Sequence, residues 1–421
     1  IWVGTGEANS SRSTYSGIGV YKSTDNGKSW QYAGLPESHH ISALKVHPAN
    51  PDVAWAAVTG HLYSPNKERG VYKTTDGGKT WKQTLYIDAN TGAIELDINP
   101  QNPNEVYAAM WYKTRKAWNF EESGKTSGIY KSTDGGDKWT LITGAGSGFP
   151  TGEGVGRIGV AVFPKNPQIV YAIVDNQSRQ PDTAARKKDT TTFEKNELKG
   201  LTAEQFAQLD SAKLETFLRK NGLSKYSAVK VKEQVAKGEL KPTALYEYLY
   251  DANDDLFNTP IIGAEVYRSN NAGKTWQKTN TKPLPRLYNT YGYYFGRITV
   301  SPANEDKVVI MGVSIEVSTD GGKTFTDMDA ANVHSDHHSC WMNPMRDSHM
   351  IIGNDGGVNI TYDNGKNWFK VNNLPVGQFY TIATDNSRPY YVYGGLQDNG
   401  VWRGSSRRQR TSDASYDTLQ Y

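Results

Sequence analysis

KSTDNGKSW, Lys22 to Trp30, decides how this chain is read, because it returns five times. The copies are KTTDGGKTW (Lys73–Trp81), KSTDGGDKW (Lys131–Trp139), RSNNAGKTW (Arg268–Trp276), VSTDGGKTF (Val317–Phe325) and ITYDNGKNW (Ile360–Trp368). All share Ser/Thr-x-Asp/Asn-x-Gly-x-x-aromatic. The acidic or amide position falls at Asp25, Asp76, Asp134, Asn271, Asp320 and Asp363, with gaps of 51, 58, 137, 49 and 43 residues. A period near 50 with short strands is the mark of a four-stranded propeller blade. The long gap then holds one period plus an insertion of about 80–90 residues.

A second repeat lies between the tips. ISALKVHPANPDVAWAAV (Ile41–Val58), AIELDINPQNPNEVYAAM (Ala93–Met110) and RIGVAVFPKNPQIVYAIV (Arg157–Val174) each read as a hairpin: an alternating run, a Pro/Asn turn, another run. Looser copies begin at Arg297, His338 and Phe379. Calling these the first and second strands of a blade makes the run before each tip the third and the run after it the fourth. The count gives an all-β, seven-bladed propeller. It lacks one strand before Ile1 and one outer strand after the visible end, and closes into a ring without free edges. The expected division is 1–181 for blades one to four (first part), 182–260 for a helical insertion in blade four, and 261–421 for the rest. In the insertion, Leu201–Leu223 has apolar residues near helical spacing, Thr202 as N-cap and Gly222 as stop, with two short helices following.

Composition narrows the class. The chain has 421 residues, 47 basic against 44 acidic, so no strong basic excess marks a nucleic-acid binder. Cys340 is the single cysteine, which excludes an intrachain disulfide. No run approaches the length of a transmembrane helix. The chain opens in mid-strand with IWVGTG, as a trimmed fragment would. This balance fits a cytosolic protein, or a bacterial exported one stabilised by a large core.

The tip residues read as structural. Asp25 and its equivalents accept N–H bonds within their own turn, Gly27 or Gly78 takes positive φ, and the aromatic packs between blades. Recurrence in every blade suits a fold role, since a catalytic site is single.

These tips resemble the BNR or Asp-box repeats of sialidases, sortilin-type receptors and xyloglucanase-type glycoside hydrolases. With VGTGE (Val3–Glu7), ERGVYKTTDGGKTW (Glu68–Trp81), HSDHH (His334–His338), GNDGG (Gly353–Gly357) and GGLQDNG (Gly394–Gly400), essentially the whole chain resembles a group of bacterial exported proteins labelled BNR-repeat glycosyl hydrolase or sortilin-like. The resemblance implies a periplasmic, outer-membrane-associated or extracellular scaffold. Its loop-rich face would hold a protein or glycan, in association with a cell-surface complex. The alternative is a glycoside hydrolase resembling xyloglucanases, which set two acids between two propellers.

The unusual residues fall in the connections opposite the tips, where function concentrates. NVHSDHHSCW carries three of the eight histidines within five residues. Read as an extended strand, it points His334, Asp336 and His338 the same way, a donor set for a divalent metal or a polar cluster lining the channel. Asp336, Asp355 and Asp398 are the carboxylates available for paired acid chemistry, with turn-capping as the plainer reading. Arg157, Arg297, Tyr291 and Tyr293, with Arg286, Tyr288 and Tyr294, form a polar-aromatic group for binding a ligand. All five mouth residues, His334, Asp336, His338, Asp355 and Asp398, are expected to converge near the axis.

Overall fold

In a computed structural model the described residues are 1–10, 14–116, 118–180, 189–249, 261–288, 291–372, 377–407 and 417–419. They form one three-stranded sheet, six four-stranded antiparallel sheets and a two-stranded ribbon. The three-stranded sheet is Trp2–Gly4, Val20–Lys22 and Gln31–Tyr32, a blade without its first strand. Each later sheet runs first to fourth strand in chain order, as in Ile41–Val46, Ala54–Val58, Gly70–Thr74 and Lys82–Leu85. Sheet three carries the ribbon Thr114–Arg115 with Phe120–Glu121 between its second and third strands, which periodicity alone did not reveal.

One expectation is corrected at the last sheet. Asp417–Leu419 pairs with Val401–Arg403, so the seventh blade has a fourth strand within the chain. Its first strand, Phe379–Thr384, is exposed at every residue. In blades two to five, by contrast, second-strand residues such as Ala54–Val58 and Val308–Met311 are buried throughout.

The first strands of blades two to six line one central cavity of about 450 Å³. Ser42–Lys45, Glu95–Asp97, Val160–Val162, Arg297–Val300 and His338–Cys340 supply its wall. This radial arrangement makes the fold a β-propeller.

The tips hold the blades by a repeated bond set. Thr74 Oγ1 donates to Asp76 Oδ1 at 2.8 Å and accepts from the Gly78 amide at 3.0 Å. Asp76 accepts from the Thr80 amide at 2.9 Å and hydroxyl at 2.6 Å. The first hydroxyl bond recurs at Asp25, Asp134, Asn271, Asp320 and Asp363. The last bond varies, since Lys138 offers Asp134 only its backbone amide, Asn271 Nδ2 donates to Thr275 Oγ1, and Asn367 Nδ2 donates to Asp363. They hold the Asp25, Asp76 and Asp363 carboxyls down at about 2. At Asp320 burial works the other way, and the bonds still bring the carboxyl to about 2. Tip indoles then latch onto the preceding blade. Trp81 Nε1 donates to Ala33 O at 2.7 Å, Trp139 Nε1 to Thr84 Oγ1 at 3.3 Å, Trp276 Nε1 to Ile142 O at 3.3 Å and Trp368 Nε1 to Met328 O at 3.2 Å.

Residues Arg179–Ile261 form a second compact unit. Its helices are α1 (Ala203–Ala207), α2 (Ser211–Lys220), α3 (Ala228–Ala236) and α4 (Ala244–Leu249). The long helical stretch expected over Leu201–Leu223 is two helices, because Asp210 accepts from the Ala212 and Lys213 amides and starts a new one. Thr202 caps α1 in a capping box with Gln205, and Gly222 takes φ +74° just past α2. Phe206, Leu214, Phe217, Leu218, Val231 and Leu245 give the unit its own core. The expected boundaries Asp182 and Pro260 lie outside the described residues, as does the end of the last expected helix.

Candidate functional site

At one end of the channel, connections from separate blades meet. The strand of blade six begins at His337, so His334–Asp336 is a turn and not strand, with Asp336 at φ +66°. This corrects the premise that alternation aims the three residues together; backbone bonds bring them together instead. The Asp336 amide donates to Val313 O at 3.1 Å, and the Asp355 amide donates to Asp336 O at 3.2 Å. Alternation does operate from His337 onward. His337 is fully buried with Nε2 3.3 Å from Asp329 Oδ1, while His338 turns to the mouth, its Nε2 2.8 Å from Asp355 Oδ1.

His334 sits between two carbonyls. Its Nδ1 is 2.8 Å from Ser335 O and its Nε2 2.9 Å from Asp398 O. Carbonyl oxygens only accept, so satisfying both requires both ring nitrogens to donate. Burial works against that imidazolium, but the two carbonyls, with Asp336 and Asp355 nearby, outweigh it and raise His334 above its ordinary value. Held this way, His334 would have to give up one of these two bonds before it could join the expected His334–Asp336–His338 ligand set. A Cβ at Gly356 would fall 2.5 Å from His334 Cβ, so the turn after Asp355 needs glycine for the ring to lie there.

The Asp398 carbonyl, not its carboxylate, is what the structure brings to His334. Its neighbour Asn399 donates to Asp355 O at 3.2 Å and ties the blade-seven turn to blade six.

Two further groups join this cluster. Glu7, from blade one, is held above its ordinary value by part-burial of its carboxyl and by Asp355. Asp336 is likewise raised, by burial first and then by Asp355. The Tyr294 hydroxyl is pushed up to about 12 by burial and by Asp355, Glu7 and Asp336, and its ring meets His338 edge-on at 5.3 Å. Phe295 stacks on His338 with centroids 5.5 Å apart. Glu7 and Tyr294 stood in VGTGE and NTYGYYFG, but no spacing rule links positions nearly 300 residues apart.

The arginines do other work. Arg157 is 2% exposed and donates to Tyr293 O, Tyr294 O and Asn9 Oδ1 at 3.0, 2.9 and 3.3 Å. It positions the mouth loop and cannot grip a ligand, correcting that expectation. Arg297 crosses the channel to pair with Glu95 and donates to Ser42 O at 3.1 Å, so its charge is also committed. Lys45 pairs with Asp97 at 2.9 Å on the same wall. Tyr293 packs edge-on against Phe120 at 4.8 Å, whereas Tyr291 is exposed beside the loop. Cys340 also faces this wall, and burial pushes its thiol up to about 12.

The sequence matches the family described as Sortilin-Vps10 (sortilin, neurotensin receptor 3) over residues 19–247. Over 123 residues, 27% of this chain, it is 29% identical to vacuolar protein sorting/targeting protein 10 of Kluyveromyces lactis, and it spans 8% of that relative's length. Among solved structures it is similar to a GH74 xyloglucanase from Xanthomonas campestris, with 13% identity, TM-score 0.40, and coverage of 96% of this chain and 55% of the other. A second is YCF48 bound to D1 peptide, with 10% identity, TM-score 0.42, and coverage of 90% and 85%.

Proposed function

Since the chain belongs to the Sortilin-Vps10 family, we propose that it is an exported binding propeller that holds a polypeptide by a basic group at the channel mouth. One observation carries this reading: Glu7, Asp336 and Asp355 come from connections of two blades to a single mouth, and burial with mutual repulsion holds two of them up. Carboxyls crowded in this way gain most from an ammonium or guanidinium placed among them. Half-buried Tyr294 and exposed Tyr291 flank the mouth with aromatic surface suited to the rest of the peptide. Among the described residues no helix is long and apolar enough to cross a membrane. The test is an array of basic, neutral and acidic peptides beside a glycan array. Retention of basic peptides should weaken with salt and fall at least about 10-fold in Glu7→Gln/Asp336→Asn, the effect of losing about 1.4 kcal/mol. Binding without charge preference, or to glycans alone, would sink the proposal.

A second reading is glycan hydrolysis, with Asp336 as general acid beside Asp355. It is favoured by the raised Asp336 carboxyl, the form in which an acid can donate. Reducing-sugar release from xyloglucan that disappears in Asp336→Asn would support it. Release unchanged by that substitution, or none at all, would exclude it.

A further inference from the structure

A cluster of metal-competent side chains on the loops of blades one and two plays no part in the mouth. Glu37, His39 and His61 each offer one ligand atom, and the three atoms lie within 4.8 Å of one another. The His39 and His61 imidazoles stack with centroids 3.8 Å apart. His61 Nε2 lies 3.9 Å from Glu37 Oε2 and 3.1 Å from the Glu37 carbonyl, a bond that an ion on this nitrogen would displace. Glu68 is a further carboxylate within electrostatic reach of His39.

We propose that Glu37, His39 and His61 bind one divalent transition-metal ion of the zinc class, with water completing the shell. Two imidazoles and a carboxylate are a donor set that such ions select. Zinc–nitrogen bonds of about 2.0–2.1 Å in a tetrahedron place ligand atoms roughly 3.3 Å apart, so binding would draw the cluster in and tilt the stacked rings, now 22° apart in plane, toward a common ion. The Glu37 side chain, 70% exposed, is free to swing in.

The two histidines sit on loops that the rest of the fold holds still. The buried Arg69 donates to His61 O at 3.0 Å and Ser64 O at 3.3 Å. Asn66 closes the same loop by bonds to the His61 amide at 3.2 Å and carbonyl at 2.9 Å. His39 occupies φ +51°, ψ −48°, with the His40 amide 2.5 Å from Ser38 O, a three-residue turn of the strained hand. The His39 carbonyl accepts from the Gly17 amide at 2.6 Å and lies so near Gly6 that a Cβ there would come within 1.9 Å. An ion on His39 would therefore also steady Gly6 and the adjoining Glu7.

The experiment uses chelator-stripped protein, titrated with Zn²⁺ in a calorimeter and with Co²⁺ by visible absorption. One equivalent should bind, and Co²⁺ should show the intense absorption of four-coordinate cobalt. His39→Ala, His61→Ala and Glu37→Gln should each weaken binding at least about 10-fold, while His349→Ala should not. Glu37→Gln alters an exposed side chain, so it answers even where an alanine variant loses its fold. The absence of saturable binding of either ion would overturn the proposal. So would binding indifferent to Glu37→Gln, or binding lost in His338→Ala instead.

Discussion

Thr74 shows what one hydroxyl carries in a tip. It is 1% exposed, donates to Asp76 and accepts from the buried Gly78 amide. Thr74→Val keeps the shape and strands that amide, so unfolding should become easier by about 1–3 kcal/mol in denaturant titration. A cost near zero would mean that water replaces the hydroxyl. His334 makes a prediction of a different sign. Its folded value is raised, so its contribution is fully present below the unfolded value of about 6.5 and is lost as pH climbs through the folded value. Melting temperature should fall as pH rises above about 6.5 more in the parent than in His334→Gln. Parallel curves would show that the two carbonyls do not hold a proton on the ring.

Tip aromatics act at the scale of the blade. Trp276 is 3% exposed against the end of blade three, whereas Trp30 is 43% exposed. Trp276→Ala should cost about 3–5 kcal/mol and Trp30→Ala less than about 0.5, both read from chemical denaturation. Equal costs would contradict a latch between blades. These elements were legible because each is local: Asp, Gly and Trp recur at fixed offsets, and turn chemistry needs no distant partner. Thr202 and Gly222 were legible for the same reason, while Asp210 was passed over because a run of helical spacing hides a cap in its middle. The mouth was legible only in part. His338 and Asp355 stood in conspicuous motifs, but Glu7 and Tyr294 reach them through the ring, and a one-dimensional pattern carries no such distance. Arg157 and Arg297 looked like ligand grips because charge is visible in a sequence and commitment to carbonyls is not.

Across the whole molecule the two compact units differ in what each needs. Each has its own core, and the chain leaves blade four at Arg179 and returns at Ile261. Replacing residues 182–260 with a Gly-Ser linker should leave the β circular-dichroism signal and a cooperative melt in place; loss of both would make the insertion part of the propeller's stability. The propeller's channel also carries its own reporter. Cys340 is the single thiol in 421 residues, set in the channel wall with its proton held up to about 12. Its thiolate is thus scarcer at pH 7 than that of an unfolded cysteine. A disulfide reagent should therefore label the native protein at least ~100-fold more slowly than the denatured chain. Labelling rate then becomes a clock for opening of blade six, one that needs no ligand, no antibody and no engineered probe.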